Sequence, residues 1–287
     1  MVGAAQGSVV KVLVVGAGGQ VGTELLSCFP DDEVIAARRA DADVADSGAV
    51  TRLVTATRPD LVVNCASFNA VDRCESEPEL AMAVNATAVG ALAEAAASVD
   101  AHFVTLSTDY VFDGTKVGAY VESDTPNPQS AYGRSKLAGE VLAGDDATVV
   151  RTSWVCSRTA PNMVLTVLRL LDGDGTLRFV NDQIGCPTFA ADLALTVAEL
   201  GRQHHAGVVH VTNDGAVSWF EFVQEIARQS GHDPSRVEAI ATAELDPPRP
   251  APRPANSVLA SEVLPGLGIA PLRHYREPLQ ELLTALG

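Results

Sequence analysis

Cysteine is scarce in this chain and shows no pairing pattern. The cysteines are odd in number and none forms a CxxC pair, and the two closest are nine positions apart; they are Cys28, Cys65, Cys74, Cys156 and Cys186. That spacing matches no familiar zinc site. The pattern therefore indicates reduced, mostly buried thiols, and it speaks against a disulfide framework.

Positive charge is also in short supply. Twenty Lys and Arg stand against 36 Asp and Glu, which gives a formal net charge of −16 at pH 7. A surface this acidic repels phosphate polymers and anionic lipid, so we expect no nucleic-acid partner and no membrane partner. A small anionic ligand stays compatible, because a local group of N–H donors or arginines can still hold phosphate.

Long apolar runs are absent as well. No uninterrupted run approaches the ~18 residues that a membrane-spanning helix needs. Residues 1–10 lack the basic start and apolar centre of a secretory leader. Together with the reduced thiols, this predicts a cytoplasmic location.

What the sequence does contain is a regular alternation of short apolar runs and helical patterns. The apolar runs are continuous, as is typical of parallel strands covered on both faces: Val12–Val15, Val34–Ala37, Leu61–Ala66, Phe103–Leu106 and Val149–Val150. The helical patterns between them cover Gln20–Phe29, Gly48–Thr57, Glu77–Ser98 and Ser130–Leu142. This order predicts the α/β class, with a Rossmann-type, doubly wound parallel sheet.

The alternation loosens after about Ser153. We predict helices over Met163–Leu171 and Ala191–Arg202, a strand at Val208–Val211, and an extended loop over the proline-rich stretch Pro247–Pro254. Ser218, with Glu221 three residues later, predicts a capped helix that runs to about Ser230. We therefore expect a Rossmann domain over residues 1–155 and a smaller C-terminal lobe over 156–287, with some of its segments returning to the sheet.

A glycine loop follows the first predicted strand. Gly16, Gly19 and Gly22 have GxxGxxG spacing, and Gln20 and Val21 open the next helix. Glycine permits a tight turn and lets backbone N–H groups approach a pyrophosphate at the helix N-terminus. The position predicts dinucleotide binding; a turn that serves packing alone is the alternative.

Two arginines end the second predicted strand, about twenty positions after the glycine loop. An acidic residue there would bond the ribose 2′-hydroxyl of NAD, whereas arginine accommodates the 2′-phosphate of NADP. Arg38 and Arg39 therefore favour NADPH, with NADH as the alternative cofactor. Solvated surface arginines would give the same pattern.

A tyrosine and a lysine stand four positions apart, and a threonine ends the fourth predicted strand. Tyr132 and Lys136 share one helix face, and Thr108 would lie at the carboxyl end of the sheet, where active sites form. Reduction of a ketone builds an alkoxide that must be protonated. We expect Lys136 to lower the pKa of Tyr132 and to hold a nicotinamide ribose, and Thr108 to donate to the substrate carbonyl. An exposed Tyr–Lys pair and a hydroxyl bonded to backbone are the alternatives.

Longer motifs carry a resemblance to a known family. The segments are GxxGQVG, STDYVFDG at 107–114, YGRSK at 132–136 with Gly139-Glu140, RTSW at 151–154, DQIGCPT at 182–188 and RPANS at 253–257. In this order, from residue 11 to about 260, the chain resembles the dTDP-4-dehydrorhamnose reductases, within the extended short-chain dehydrogenase/reductase superfamily. The STDYVFDG and DQxGxPT segments are more specific than the glycine loop or YxxxK.

The resemblance implies the last step of dTDP-L-rhamnose synthesis, in which NADPH or NADH reduces the 4-keto group of dTDP-4-dehydro-L-rhamnose. It implies a catalytic set of Thr108, Tyr132 and Lys136. The substrate would be faced by Thr108, Asp109 and Trp154, with Arg253 on its diphosphate. The cofactor would be bordered by Ala66, Ser67 and Phe68, with its adenine near Asp43 and Val44. Asn85 would support the active-site strand.

Some features keep other interpretations open. Phe68 and Cys156 stand where the family often has tyrosine, and both positions affect the substrate side. Some members bind Mg²⁺ at a dimer contact; a homodimer is compatible with this chain, but no acidic ligands stand out, so we assign no metal site and leave metal dependence open.

Two other functions are alternatives to the reductase. A regulatory subunit of the methionine adenosyltransferase type would have lost the Tyr–Lys pair or the threonine, which are present. An epimerase or dehydratase would retain its cofactor through each cycle.

Overall fold

The computed structural model of the protein describes residues 9–287. Residues 1–8, and with them most of the segment inspected for a leader, lie outside the described residues. The first part of the chain forms β1 (Lys11–Val15), α1 (Gln20–Leu25), β2 (Glu33–Ala37), α2 (Ser47–Thr57), β3 (Leu61–Asn64), α3 (Val71–Ser76), α4 (Pro78–Met82), α5 (Ala88–Ala97), β4 (His102–Thr108), α6 (Ala131–Ala143) and β5 (Thr148–Thr152). The second part forms β6 (Val155–Cys156), α7 (Met163–Leu171), β7 (Leu177–Val180), β8 (Ile184–Gly185), β9 (Thr188–Phe189), α8 (Ala190–Arg202), β10 (Gly207–His210), β11 (Asn213–Asp214), β12 (Val217–Ser218), α9 (Trp219–Gln229), β13 (Val237–Ile240), β14 (Leu272–His274) and α10 (Arg276–Leu286).

A six-stranded parallel sheet forms the centre of the molecule. Its order is β10-β5-β4-β3-β1-β2, and every pair in it is parallel. The strands are apolar along their length because helices cover both faces. The predicted doubly wound α/β fold is therefore confirmed.

The strand order reverses beside β1. The chain goes from β1 to β2 on one side and then crosses to β3 on the other. The carboxyl ends of β1 and β3 therefore diverge at a switch point, where open α/β sheets bind their ligands. The glycine loop follows β1, and Cys65–Phe68 follow β3.

The two faces of the sheet carry separate hydrophobic cores. On one face Leu25 of α1 and Leu193 of α8 pack against the strands. On the other face Val50 of α2 and Leu92 of α5 do so. Each fully buried leucine or valine stabilises the fold by about 1.5–3 kcal/mol, so the two helix layers fix the sheet between them.

The predicted helix Glu77–Ser98 is present, but it contains a turn that the sequence did not indicate. Helices α4 and α5 are joined by a π-helical turn, Ala83–Thr87, into a single run Pro78–Ala97. This run is long and apolar enough to cross a membrane, which the search for uninterrupted apolar residues missed. In the structure α5 packs against α2 and α6, with Leu92 and Ala96 fully buried. Contact with the sheet layer therefore accounts for its apolar composition.

The C-terminal lobe has a core of its own. Val167 of α7, Phe222 and Ile226 of α9 and Leu279 of α10 are buried together beside the β7–β13 pair. Two later elements return to the central sheet: α8 packs against α1, and β10 pairs with β5. The domain boundary near residue 155 stays a prediction.

Helix bounds follow the sequence signals closely. The capping box at Ser218 and Glu221 is present and begins α9, and α7 has the predicted bounds. Helix α1 ends at Leu25 rather than Phe29, because a turn in which Ser27 N–H bonds Glu24 C=O follows it. No regular element occurs in the proline-rich stretch 247–254, as expected.

Candidate active site

The glycine loop leaves no room for side chains. Gly16 has a φ of +77°, and a Cβ there would lie 2.7 Å from the amide nitrogen of Ala66. A Cβ on Gly22 would lie 2.3 Å from the carbonyl oxygen of Gly16. Helix α1 begins at Gln20, so the first N–H groups of this helix, which have no partner within it, face the loop. This is the cradle that a pyrophosphate requires.

The loop opens into a cleft of about 650 Å³ at the switch point. Nine of the fourteen predicted cofactor residues line this cleft, whereas Tyr132 and Lys136 do not. Its walls include Gly16, Gly19, Arg38, Arg39, Asp43, Val44, Ala66, Ser67 and Phe68. Gln20, Val21 and Gly22 lie behind the loop at the start of α1, where Val21 and Gly22 are buried. Arg73, Leu80 and Val84 also line the cleft, and no spacing in the sequence signals them.

The arginines that follow β2 are not equivalent. Arg39 pairs with Asp43 at 3.2 Å, and both side chains are exposed. The Arg38 side chain instead lies over the loop, with its Cγ 3.9 Å from the position of a Cβ on Gly18. Arg38 is therefore better placed than Arg39 to meet a phosphate beside the glycine loop.

Asn85 fixes the segment that follows β3. Its side-chain oxygen accepts from the Phe68 N–H at 2.8 Å and from the Ser67 hydroxyl at 3.1 Å. Its amide group donates to the Phe68 carbonyl and, at 3.0 Å, to the Ser135 hydroxyl of α6. Asn85 is fully buried in the π-helical turn, so the turn ties one wall of the cleft to the helix that carries Tyr132.

Tyr132, Lys136 and Thr108 are buried beside this cleft. Their exposed fractions are 9%, 4% and 5%. The two α6 residues face the end of β4, from which Thr108 projects. The predicted alternatives, an exposed Tyr–Lys pair and a hydroxyl bonded to backbone alone, do not describe this arrangement.

Burial dominates the acidity of the phenol. It raises the pKa of Tyr132 to about 12, an effect that the Thr108 and Ser67 hydroxyls partly offset. The expected lowering by Lys136 is not found, because burial outweighs every other effect on the phenol; the ammonium of Lys136 donates to the Leu106 carbonyl at 2.6 Å. Tyr132 therefore holds its proton at neutral pH, as a proton donor must.

Lys136 is a cation in a dry setting. Burial lowers its pKa to about 8, while Glu140 and Cys65 act in the opposite direction. An ammonium is strongly hydrated in water, so its loss of water favours the neutral amine. Its charge at neutral pH therefore depends on the groups that surround it.

The Thr108 hydroxyl already donates a hydrogen bond to a neighbour. Its hydroxyl donates to Asp109 at 2.9 Å and accepts from the Tyr110 N–H at 3.2 Å. A hydroxyl has one proton, so donation to a substrate carbonyl requires it to turn away from Asp109. Such a turn takes only a rotation about the C–O bond.

Asp109 is a buried carboxyl with one oxygen unpaired. It is 2% exposed, and its Oδ2 atom has no hydrogen-bond partner within the described part of the protein. Burial raises its pKa to about 6, against the opposing effect of the nearby Ser257 and Thr108 hydroxyls. An unpaired buried acceptor is costly, so it is suited to accept from a sugar hydroxyl.

Trp154 connects the strand end to the C-terminal lobe. It adopts a left-handed φ of +46°, and its ring stacks on Trp219 of α9 with the ring centroids 3.5 Å apart. A Cβ on Gly185 would lie 2.6 Å from the Trp154 ring. Sequence reasoning selected Trp154 but missed Trp219, since nothing local links positions 65 residues apart.

Arg253 is already paired. Its guanidinium donates to both carboxylate oxygens of Asp72, at 2.5 and 2.8 Å, and Arg249 lies 3.7 Å from the same carboxylate. Two arginines thus share one acid, which leaves a net positive charge for a diphosphate. Arg253 also borders a smaller cavity of about 220 Å³ with Tyr110 and Phe112.

Among residues 9–287, no group of three or more His, Cys, Asp or Glu is arranged to hold a metal ion.

The chain is similar to known proteins over nearly its full length. Residues 10–287 match the family model described as "RmlD substrate binding domain". The chain is 40% identical to the spore coat polysaccharide biosynthesis protein SpsK of Bacillus subtilis, over 95% of this chain and 96% of that protein. It is also 40% identical to dTDP-4-dehydrorhamnose reductase of Mycobacterium tuberculosis, over 96% and 93% of the two chains. A solved dTDP-4-dehydrorhamnose reductase from Bacillus anthracis in complex with NADP has 31% identity and a TM-score of 0.91, and covers 96% of this chain and 99% of that one.

Proposed function

We propose, since the chain belongs to the RmlD substrate binding domain family, that it reduces dTDP-4-dehydro-L-rhamnose to dTDP-L-rhamnose. The protein is an oxidoreductase that uses a nicotinamide cofactor, and the reaction is the last step of dTDP-rhamnose synthesis. The observation that carries this conclusion is the burial of Thr108, Tyr132 and Lys136 together, beside a glycine-lined cleft at the switch point.

The cleft fits the cofactor that the family implies. Gly16 and Gly22 form a backbone cradle that a single Cβ would fill, and the cleft is about 650 Å³ in volume. The residues that would hold the dinucleotide are Gly16, Gly19, Gln20, Val21, Gly22, Arg38, Arg39, Asp43, Val44, Ala66, Ser67, Phe68, Tyr132 and Lys136. We favour NADPH because Arg38 lies over the loop, where it can meet a 2′-phosphate.

The reaction requires both a hydride and a proton. The chemistry that a bound reduced nicotinamide supplies is the hydride for the keto carbon. Tyr132 supplies the proton to the sugar oxygen, since its raised pKa keeps the phenol protonated until an alkoxide develops beside it. Thr108 turns its hydroxyl from Asp109 to the same oxygen and stabilises the developing charge.

The remaining site residues position the substrate. Asp109 accepts a sugar hydroxyl at its unpaired oxygen, and the Trp154 ring bounds the sugar. Arg253, supported by Arg249 and Asp72, faces the diphosphate. Charged Lys136 holds the ribose hydroxyls of the cofactor and stabilises the phenolate that forms when Tyr132 gives up its proton.

The test follows absorbance at the reduced-nicotinamide band with NADPH and dTDP-4-dehydro-L-rhamnose (dTDP-4-keto-6-deoxy-L-mannose). We expect a substrate-dependent fall and a rhamnosyl nucleotide as product. Net oxidation also separates a reductase from an epimerase or dehydratase, which regenerates its cofactor. No fall with NADPH or NADH, in folded protein that binds cofactor, would contradict the proposal and favour the regulatory-subunit interpretation.

The cellular location, the oligomeric state and the metal dependence of the enzyme are a separate part of the proposal. We place the reaction in the cytoplasm, without nucleic-acid or membrane partners; a homodimer is compatible with the chain. Size-exclusion chromatography with light scattering, and turnover measured with Mg²⁺ and with EDTA, test the assembly and the need for a metal.

A further inference from the structure

A buried ion pair lies one helical turn beyond Lys136. Tyr132, Lys136 and Glu140 follow one another at four-residue steps along α6, so they share one face of the helix. The carboxylate of Glu140 accepts from Arg151 of β5 twice, at 2.9 Å from Nε and 2.7 Å from Nη2. The exposed fractions of the Glu140 and Arg151 side chains are only 6% and 4%.

Every remaining polar atom of this pair has a defined neighbour. The Ser107 hydroxyl of β4 donates to Glu140 Oε1. Arg151 Nη1 lies 3.5 Å from His210 Nε2 of β10, and its guanidinium lies over the Phe112 ring. The Nδ1 atom of His210 lies 3.0 Å from the Ala260 carbonyl oxygen. The pair is thus held in one geometry by three strands and a loop.

The surroundings of Lys136 contain few other charges. Its own helix contributes Tyr132 and Glu140, β4 contributes the Leu106 carbonyl, and Cys65 stands at the end of β3. The phenol and the thiol are neutral at pH 7, since burial raises the pKa of each to about 12. Glu140 is therefore the formal negative charge that acts on Lys136, and burial alone favours loss of the lysine proton.

We propose that Glu140 is a positioning residue of the reduction: oriented by Arg151 and Ser107, its carboxylate keeps the buried Lys136 ammonium charged so that it can act on Tyr132. Arg151 fixes the carboxylate and neutralises its charge in part, and β4 and β5 are thereby joined at the point where Thr108 emerges. The inference rests on the proposed function for the role of Lys136, but the burial of the two groups on one face of α6 does not.

The direct test is a titration of the lysines by NMR. The chain contains three, Lys11, Lys116 and Lys136, so protein labelled with ¹³C-lysine gives three side-chain signals. Lys136→Met assigns the buried one. In Glu140→Gln we expect the midpoint of Lys136 to fall by about one pH unit, while Lys11 and Lys116 stay unchanged as internal references. An unchanged Lys136 midpoint overturns the proposal.

Ser107→Ala is the matched control. It removes a hydrogen bond to the same carboxylate but keeps the charge, so the Lys136 midpoint should stay close to that of the wild type. Should Glu140→Gln fail to fold, Glu140→Gln combined with Arg151→Gln removes both charges at nearly constant shape. The Lys136 midpoint should again fall, though by less. An unchanged midpoint in this double variant would contradict the role of Glu140.

The kinetic test separates positioning from mere support of the fold. In Glu140→Gln the alkaline limb of kcat/KM should move to lower pH, and activity near pH 6 should recover toward the wild-type value. An equal loss at every pH would show a structural role and would overturn the proposal. If the wild type oxidises no NADPH with the sugar nucleotide, the proposed function fails, and the lysine titration still decides whether Glu140 holds the charge.

Discussion

Tyr132 is packed so that its phenol keeps its proton. The residue contacts Cys74 and Ala81 in a small apolar cluster, and its ring lies edge-on to Tyr110 at 5.6 Å. Tyr132→Phe should leave NADPH affinity nearly unchanged and lower kcat by ~10²-fold or more, because the proton donor is lost and the packing is kept. Steady-state kinetics and cofactor fluorescence measure the two effects.

Tyr110→Phe is the matched control for this substitution. It removes a phenol from the neighbouring ring, and its kcat should stay within a few-fold of the wild type. Unaltered turnover in Tyr132→Phe would remove Tyr132 from the mechanism.

Arg38 and Arg39 allow the cofactor preference to be tested one residue at a time. Arg38→Ala should raise the Kd for NADPH about tenfold, equivalent to roughly 1.4 kcal/mol, and leave the Kd for NADH almost unchanged. Arg39→Ala should have the smaller effect, since Arg39 pairs with Asp43 at the surface. Isothermal titration with both cofactors gives the four constants. Equal losses for NADPH and NADH in Arg38→Ala would contradict recognition of a 2′-phosphate.

Asp109 gives the stability of the protein a defined dependence on pH. Its folded-state pKa, about 6, lies above the ordinary value, so the folded protein binds a proton more readily than the unfolded chain between about pH 4 and pH 6. The resulting stabilisation is full below about pH 4 and is lost as pH rises to 6. Above pH 6 the buried carboxylate costs about 3 kcal/mol.

Asp109→Asn should therefore be more stable than the wild type at pH 7.5. Its effect on the free energy of unfolding should be about 3 kcal/mol more favourable at pH 7.5 than at pH 4. Urea unfolding at the two pH values measures the difference. Asp113→Asn is a control of opposite sign, because hydrogen bonds from the Thr115 N–H, Asn127 and other donors hold the pKa of Asp113 below its usual range. If the effect of Asp109→Asn on the free energy of unfolding did not change with pH, burial of the Asp109 carboxylate would not destabilise the protein.

At the scale of elements, the helix pair α5 and α6 depends on one glycine. A Cβ on Gly139 would lie 2.1 Å from the Asn85 carbonyl oxygen, which a side chain cannot enter without moving the π-helical turn. Gly139→Ala should lower the free energy of unfolding by about 1–3 kcal/mol. It should also weaken cofactor binding, because Asn85 holds Ser67 and Phe68. Gly266→Ala, where a Cβ meets open space, is the control and should change neither quantity.

Elements with a local signal could be predicted from the sequence. The bounds of α7, the capping box of α9 and the strands of the sheet follow from periodicity and capping residues close together in the chain. The π-helical turn had no such signal, because Ala83–Thr87 reads as ordinary helix. The turn lies close to Gly139 of α6, a long-range contact that no local pattern encodes.

The same division applies to the candidate site. The glycine loop, Tyr132 and Lys136 could be selected from spacing; the loop lines the cleft, and Tyr132 and Lys136 are buried beside its Cys65–Ser67 wall. The ion-pair partners of the charged side chains could not, because they come from distant elements: Arg151 of β5 for Glu140, and Asp72 of α3 for Arg253 across 181 positions. The expected lowering of the Tyr132 pKa was wrong because the depth of burial was unknown.

At the scale of the whole molecule, the Trp154–Trp219 stack joins the sheet to the C-terminal lobe. Trp219→Leu should raise the KM for the sugar nucleotide about 2- to 10-fold, in keeping with a stacking energy of roughly 0.5–1.5 kcal/mol, and change kcat little. It should also abolish the circular-dichroism couplet of two stacked indoles. Trp219→Phe keeps an aromatic ring against Trp154 and should retain most of the affinity; loss of kcat without a change in KM would contradict a role in substrate binding.

The return of β10 to the edge of the sheet has a consequence for synthesis of the protein on the ribosome. The parallel sheet lacks its last strand until residues 207–210 have been made, and one of its faces is covered only by α1 until α8 follows at 190–202. A nascent chain that ends near residue 155 therefore exposes the β5 edge and an apolar face, both of which favour aggregation. We expect such a chain to need a chaperone in translation, and the glycine loop to become competent for cofactor only after about three-quarters of the protein has left the exit tunnel.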